Sequence, residues 1–415
     1  MNTTVLYISY DGMTDNLGQS QVIPYLIGLQ EKGYSIHIIS CEKADKYAER
    51  EKSIAALLHK HHITWHPLSY TSRPKVFSTL YDIKQMQKKA QEIVRSQKVD
   101  IVHCRSYVAA QVGVYMKKKH NFPWVFDMRG FWADERIDGG IWNYNSFFFR
   151  LLYKYVKQLE KTFISEASHI ISLTENGKQE IESWHIYQSF PKPIRVIPCC
   201  VDLDFFNPQQ LSSKKQKIYR TQLNIRAEQF VLSYLGSFGT WYMTEEMFDF
   251  FKVLYKKNND AIFLCITPDC PEELERIAFR KDIPASALRI VSANRDEVPL
   301  YASLSDWSLF FIRPLYSKKA SSPTKMGELL GLGIPLVCNA GVGDVETIMQ
   351  SCKHGYVVHN HAEDEYVRIA ESILSDTIQP ETPRQLRDVA RQYYDLQKGV
   401  DAYAEVYRDV VDSVG

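Results

Sequence analysis

Short apolar runs recur along the chain, separated by stretches with helical spacing. Residues 5–10 form the first run. It ends in a loop of Gly and Asp, and residues 21–32 then carry helical spacing, which together predict a strand, a loop and a helix. Residues 35–40, 100–104 and 124–127 predict further strands, the latter two preceded by helices rich in Lys and Gln or Ala, and residues 169–173 and 194–198 close this series. The alternation restarts at residues 230–235 and continues through 261–265, 288–291, 307–311 and 334–338. Buried strands alternating with helices predict an α/β fold with parallel sheets covered on both faces. Between the two series, residues 202–219 are polar and Lys-rich after Asn207 and Pro208, without apolar periodicity, and read as a linker plus domain entry.

A chain of 415 residues exceeds what one hydrophobic core sustains, so two domains are expected. The composition, 45% hydrophobic and 24% charged with a formal charge of +1, is globular and excludes a chain that steers strongly to nucleic acid; affinity for phosphates must then be local. The start shows no basic region followed by an apolar run, and no apolar stretch approaches the roughly 18 residues of a membrane span, so a cytoplasmic location is expected. The eight cysteines form no CxxC pair, and no His cluster has zinc spacing. Reduced structural thiols and no metal are the expectation.

Residues 321–337 carry the most chemistry. Ser322 is suited to cap a helix whose first residue is Pro323, and a helix start offers free backbone N–H groups and a positive dipole end to a pyrophosphate. Glu328 lies one to two turns further, on a face shared roughly with Thr324 and Lys325, where a carboxylate can accept both hydroxyls of a ribose. A capped helix with a solvated Glu explains the capping signals equally well. The order helix, Gly-x-Pro, strand and Gly-rich loop goes further: it resembles the donor-site signature of the retaining, group 1 (family 4) glycosyltransferases of the GT-B fold.

Other segments extend that resemblance over nearly the whole chain. Residues 196–206 are similar to the family's interdomain segment, with Cys200 where Gly is usual. Asp202 and Asp204 within it could be mistaken for a metal-binding acid pair, but the pair sits in a linker pattern without a third ligand. Gly236, Ser237 and Gly239 are similar to the turn after the first strand of the donor domain, where small residues let backbone approach phosphate or sugar. Residues 341–346 resemble the loop after the donor helix. Gly18 and Gln19 stand in the place of the family's glycine-rich loop, whose backbone donors reach the donor phosphates, although an ordinary strand-to-helix turn explains them as well. Residues 396–411 look like the terminal helix that crosses back to the first domain.

The chain departs from the family at the charged positions. The family's second Glu, eight residues before Glu328, is Ala320 here, and residues 240–245 lack the Arg and Lys that normally clamp the pyrophosphate. Arg313, Lys318, Lys319 and Lys325 are the candidate replacements, against the reading of each as a surface cation. The first domain of the family often places a His near the scissile bond. Here Arg105 and Arg129 resemble a branch with Arg instead, suited to a donor phosphate or an acidic acceptor, while Asp127 could orient an Arg or accept a hydroxyl proton. An internal ion pair of Asp127 with Arg129 is the plainer alternative. Residues 141–163 mix aromatic and basic side chains, which suits either a membrane surface or core packing.

The resemblance therefore implies a GT-B architecture of two Rossmann-like domains facing a central cleft: residues 1–200 bind the acceptor, 205–390 bind the nucleotide-sugar, and 391–415 cross back. It implies a retaining, metal-independent transfer from a nucleotide diphosphate sugar, most commonly UDP-linked, to a saccharide or lipid-linked saccharide acceptor, without a cofactor and with peripheral membrane contact as a further reading. Two rivals remain: a sugar-nucleotide epimerase or hydrolase on the same fold, and a non-catalytic nucleotide-binding subunit. Base, sugar and acceptor are not legible.

Overall fold

The computed structural model describes residues 3–74, 77–376 and 378–413. Residues 1–2 and 414–415, at the outer ends of the first and last expected segments, lie outside the described residues. The chain forms two compact units: Met1–Cys200 with Lys319–Ser321 and Leu396–Gly415, and Val201–Lys318 with Ser322–Asp395.

The first unit holds seven strands, β1 (Thr4–Ser9), β2 (Ser35–Glu42), β3 (Thr64–Ser69), β4 (Ile101–Arg105), β5 (Trp124–Asp127), β6 (His169–Ser172) and β7 (Ile194–Val196). They make one parallel sheet in the order β3-β2-β1-β4-β5-β6-β7. Alternate residues enter opposite cores. Leu6, Ile8, Val102, Cys104 and Phe126 pack on one face. Val5, Tyr7, Ile101 and Val125 pack on the other, against Val400, Tyr403 and Tyr407 of the Leu396–Asp412 helix. Burial on both faces is why these strands read as continuous apolar runs rather than as alternating ones.

The second unit holds β8 (Val231–Leu235), β9 (Ile262–Ile266), β10 (Leu288–Val291), β11 (Trp307–Phe310), β12 (Leu336–Asn339) and β13 (Gly355–Val358), parallel in the order β10-β9-β8-β11-β12-β13. In each sheet the order reverses beside the first strand, at β1/β4 and at β8/β11. Such points leave a crevice at the carboxyl ends of the strands, where α/β proteins bind ligands.

Several local expectations are corrected. Strands β3 and β13 escaped the pattern because each lies at a sheet edge and is only partly buried; β3 even tolerates Pro67, whose missing N–H costs little on an edge. Residues 202–219 are not plain linker, since the Ser213–Gln222 helix starts there, with the Ser212 hydroxyl accepting from the Lys215 amide at 3.4 Å. Asp202 uses Oδ1 to accept from the amides of Asp204 (2.9 Å) and Phe205 (3.0 Å), a turn role for its carboxylate. Seven cysteines are buried and Cys270 is exposed, all as free thiols.

Candidate active site

In the second unit, β8 delivers Tyr234 and the turn at Gly236 to the crevice, and the Thr324–Gly331 helix delivers Lys325 and Glu328. The turn needs φ = +115° at Gly236, a backbone region that side-chained residues rarely adopt. Lys325 is 8% exposed, and its ammonium donates to the Tyr234 hydroxyl at 3.0 Å. It also lies 4.2 Å from the centre of the Tyr234 ring and 3.9 Å from that of Tyr242. The Tyr234 hydroxyl donates onward to the Ser237 carbonyl at 2.5 Å, which fixes the turn to the strand. A Cβ on Gly236 would come within 2.9 Å of Lys325 Nζ, so the amine sits directly against bare backbone. Burial pulls the Lys325 amine down to about 7, against the opposing pull of Glu328.

Glu328 shares that helix face, and its side chain is 13% exposed. Burial raises its carboxyl, while Arg295 and Lys325 oppose the rise. Arg295 Nη1 lies 3.9 Å from Oε1, and its guanidinium is stacked 5.4 Å from the Phe205 ring. Among the described residues no hydrogen bond reaches the Glu328 carboxylate, so its acceptor capacity is open. The position of the helix is set from behind. Gly327 packs on Tyr394 and Val201, and Arg387 donates to the carbonyls of Gly331 and Phe206, both at 2.6 Å, and to that of Leu203.

The remaining expected donor residues fall in three places. Lys318 is buried with its ammonium 3.8 Å from the centre of the Trp241 ring, and its carbonyl accepts from Gly343 at 2.8 Å, joining the two loops beside the crevice. Thr324 opens the helix; Ser322 does not cap it, because Pro323 takes the N-cap position and no side chain caps there. Arg313 is exposed, its amide donating to the Trp241 carbonyl at 2.9 Å, while Lys319 groups with the first unit and pairs with Glu180 at 2.9 Å. The turn amides of Phe238 and Gly239 are occupied by Asp269 and Thr244. Sequence reasoning missed Tyr234, Tyr242 and Arg295. Two tyrosines flanking a Gly turn in a strand-to-helix segment were the available signal for the first two.

In the first unit the expected glycine-rich loop is the short Asn16–Gln21 helix. Gly18 is required there because a Cβ would meet the Gly12 carbonyl at 2.2 Å, and the Gln19 side-chain Nε2 donates back to the Thr14 carbonyl at 3.0 Å. The Glu42 carboxylate anchors the loop by accepting from the amides of Met13 (2.8 Å) and Thr14 (3.1 Å).

At the carboxyl ends of β4 and β5, Arg105, Asp127 and Arg129 gather with His103. Asp127 is fully buried; its Oδ2 accepts from Tyr403 at 2.9 Å and lies 3.4 Å from His103 Nε2. Tyr407 completes the chain, 2.9 Å from His103 Nδ1. Arg129 Nη1 lies 3.8 Å from Asp127 Oδ1. Burial would raise the Asp127 carboxyl, yet the charge of Arg129 and the bond to His103 hold it below the usual range. Asp127 is thus enclosed and held as a carboxylate, with Arg129 beside it.

Residues 22–205 match the family model for Glycosyltransferase Family 4. No curated protein matches the chain by sequence. Among solved structures, a glycosyltransferase from Rickettsia africae is 16% identical with a TM-score of 0.70, covering 99% of both chains. Sucrose-phosphate synthase from Thermosynechococcus elongatus is 15% identical with a TM-score of 0.73, covering 99% of this chain and all of that one. HepE from Anabaena, in complex with UDP and glucose, is 13% identical with a TM-score of 0.68, over 98% of this chain and 99% of that one. With the family 4 match over residues 22–205 and this architecture over its whole length, the chain has the GT-B fold and is similar to family 4 glycosyltransferases in its first unit.

Proposed function

We propose that the protein transfers a sugar from a nucleotide diphosphate donor, held on the second unit, to a saccharide or lipid-linked saccharide acceptor, with retention of configuration and without a metal. The observation that carries the reading is the placement of Lys325 and Glu328 on one helix face at the β8/β11 crevice, the amine against the bare Gly236 turn. Glu328 accepts the ribose hydroxyls. Lys325 supplies the positive charge that the sequence lacks at the family's usual clamp. Near pH 7 the amine takes its proton when an anion arrives, and in a site with little water that charge acts strongly on the departing diphosphate. UDP is the favoured nucleotide, because HepE, which shares the fold, is bound to UDP and to UDP-glucose.

A lipid-linked acceptor accords with one surface of the first unit. The Phe147–Glu166 helix leaves Phe147, Phe148, Leu151 and Tyr155 exposed beside Arg150 and Lys154, an aromatic and basic face suited to an anionic membrane surface. Among the described residues no helix is long and apolar enough to cross a membrane.

A thermal-shift panel of UDP, GDP, CMP and ADP with their sugar conjugates, followed by mass spectrometry of the best donor in the presence of EDTA, tests the reading. A selective rise in melting temperature with slow release of free sugar supports it. Binding without turnover would indicate the nucleotide-binding subunit instead, and an epimerised donor the epimerase.

A further inference from the structure

Two guanidinium groups in the first unit are buried without the partners that burial demands. Arg105 ends β4 in register with Asp127 of β5, and its side chain is 3% exposed. Its Nε and Nη1 make no hydrogen bond among the described residues; Asp11, the nearest carboxylate to it, lies 3.6 Å from Nε and is 42% exposed. The Arg129 side chain is 8% exposed, with Nη1 lacking a hydrogen bond and Nη2 donating to Cys199 Sγ at 3.3 Å. Both charges act on the same enclosed carboxylate, Asp127, and burial pulls the adjacent His103 below the usual imidazole range. Two buried cations therefore face one buried anion.

A buried guanidinium is stable only when paired and hydrogen-bonded. Position adds a second argument. Asp11 follows β1 and Arg105 ends β4, so Arg105 stands at the point where the strand order reverses, the ligand-binding edge of a parallel sheet, with Arg129 one strand further along after β5. A neutral sugar would leave these N–H groups unsatisfied, whereas a phosphate or carboxylate accepts from both.

We infer that Arg105 and Arg129 form an oxyanion subsite in the first unit and that the acceptor carries a phosphate or carboxylate bound there. This rests on the glycosyl-transfer reading above. Asp127, with Tyr403 and His103 behind it, is a positioning residue that holds Arg129.

The test is calorimetric titration of the full chain, saturated with UDP, with glucose 1-phosphate, glucuronate and methyl glucoside. Either anionic sugar should bind about tenfold or more tightly than methyl glucoside, and the tighter of the two tells phosphate from carboxylate. Arg105→Gln should remove that preference and leave UDP affinity unchanged; Arg129→Lys gives the same readout should Arg105→Gln fold poorly. Equal binding of all three sugars, or an anion preference intact in both variants, would overturn the inference. So would anion displacement by UDP together with weaker UDP binding in Arg105→Gln, since the guanidiniums would then serve the donor. If UDP itself does not bind, the functional reading falls, and titration of the anions without nucleotide decides the subsite on its own.

Discussion

The ammonium of Lys325 lies 3.0 Å from the hydroxyl of Tyr234, one from the first turn of a helix and the other from the end of β8. The contact places a positive charge at the turn where the family's clamp residues are missing. The burial of the amine gives the site its dependence on pH.

Burial lowers Lys325 from 10.5 to about 7, so between these values the unfolded chain holds a proton that the native state lacks. Stability contributed by this group therefore rises with pH across that window, and below about pH 7 the full cost of burying the charge is felt. Lys325→Met should raise the melting temperature relative to wild type most at about pH 6 and least at about pH 9. UDP binding should run the opposite way, tightening in the wild type as pH falls from about 8.5 to about 6.5 and losing that trend in Lys325→Met. A pH-independent difference between the two proteins would remove Lys325 from the site.

Gly236→Ala probes the same contact from the other side. The residue would adopt φ = +115°, and its Cβ would stand 2.9 Å from the Lys325 amine. Strain of about 1–3 kcal/mol and a displaced amine are expected, read as a lower melting temperature together with weaker UDP binding by calorimetry. Gly239→Ala, with φ = +80° and open space around its Cβ, should carry the strain but keep UDP affinity.

Much of this was legible in the sequence. The doubly wound sheets followed from apolar runs alternating with helical spacing, because both faces of each sheet are covered. That Glu328 and Lys325 share one helix follows from their spacing. What the sequence hid was contact across elements: the partnership of Lys325 with Tyr234 and Tyr242, 91 residues from its hydrogen-bond partner, and the stacking of Arg295 on Phe205 beside Glu328. Ser322 was misread as a cap because its residue type fits one, while the chain enters the helix one residue later. Edge strands β3 and β13 are only half buried, so their pattern was weak.

Tyr403→Phe removes the hydroxyl that the buried Asp127 carboxylate accepts at 2.9 Å. Leaving that oxygen with His103 alone should destabilise the first unit by about 1–3 kcal/mol, seen as a lower melting temperature. UDP affinity should not change, since the donor site proposed above lies in the second unit.

The exposed aromatic face predicts binding to lipid. Cosedimentation with vesicles of anionic phospholipid should retain the wild-type protein and release it at high salt, and Phe147→Ser with Phe148→Ser should lower the bound fraction without lowering the melting temperature, as both side chains are exposed. Equal cosedimentation of wild type and the double variant would reject this face as the contact.

The most direct test of the donor site is calorimetric binding of UDP and 2′-deoxy-UDP to wild type and Glu328→Gln. If Glu328 accepts the ribose hydroxyls, the variant should bind UDP about 10- to 100-fold more weakly, and removing the 2′-hydroxyl should cost the wild type far more than the variant. A variant that binds UDP as tightly as the wild type, or a loss from the missing hydroxyl that is the same in both proteins, would contradict the assignment of this helix as the donor site.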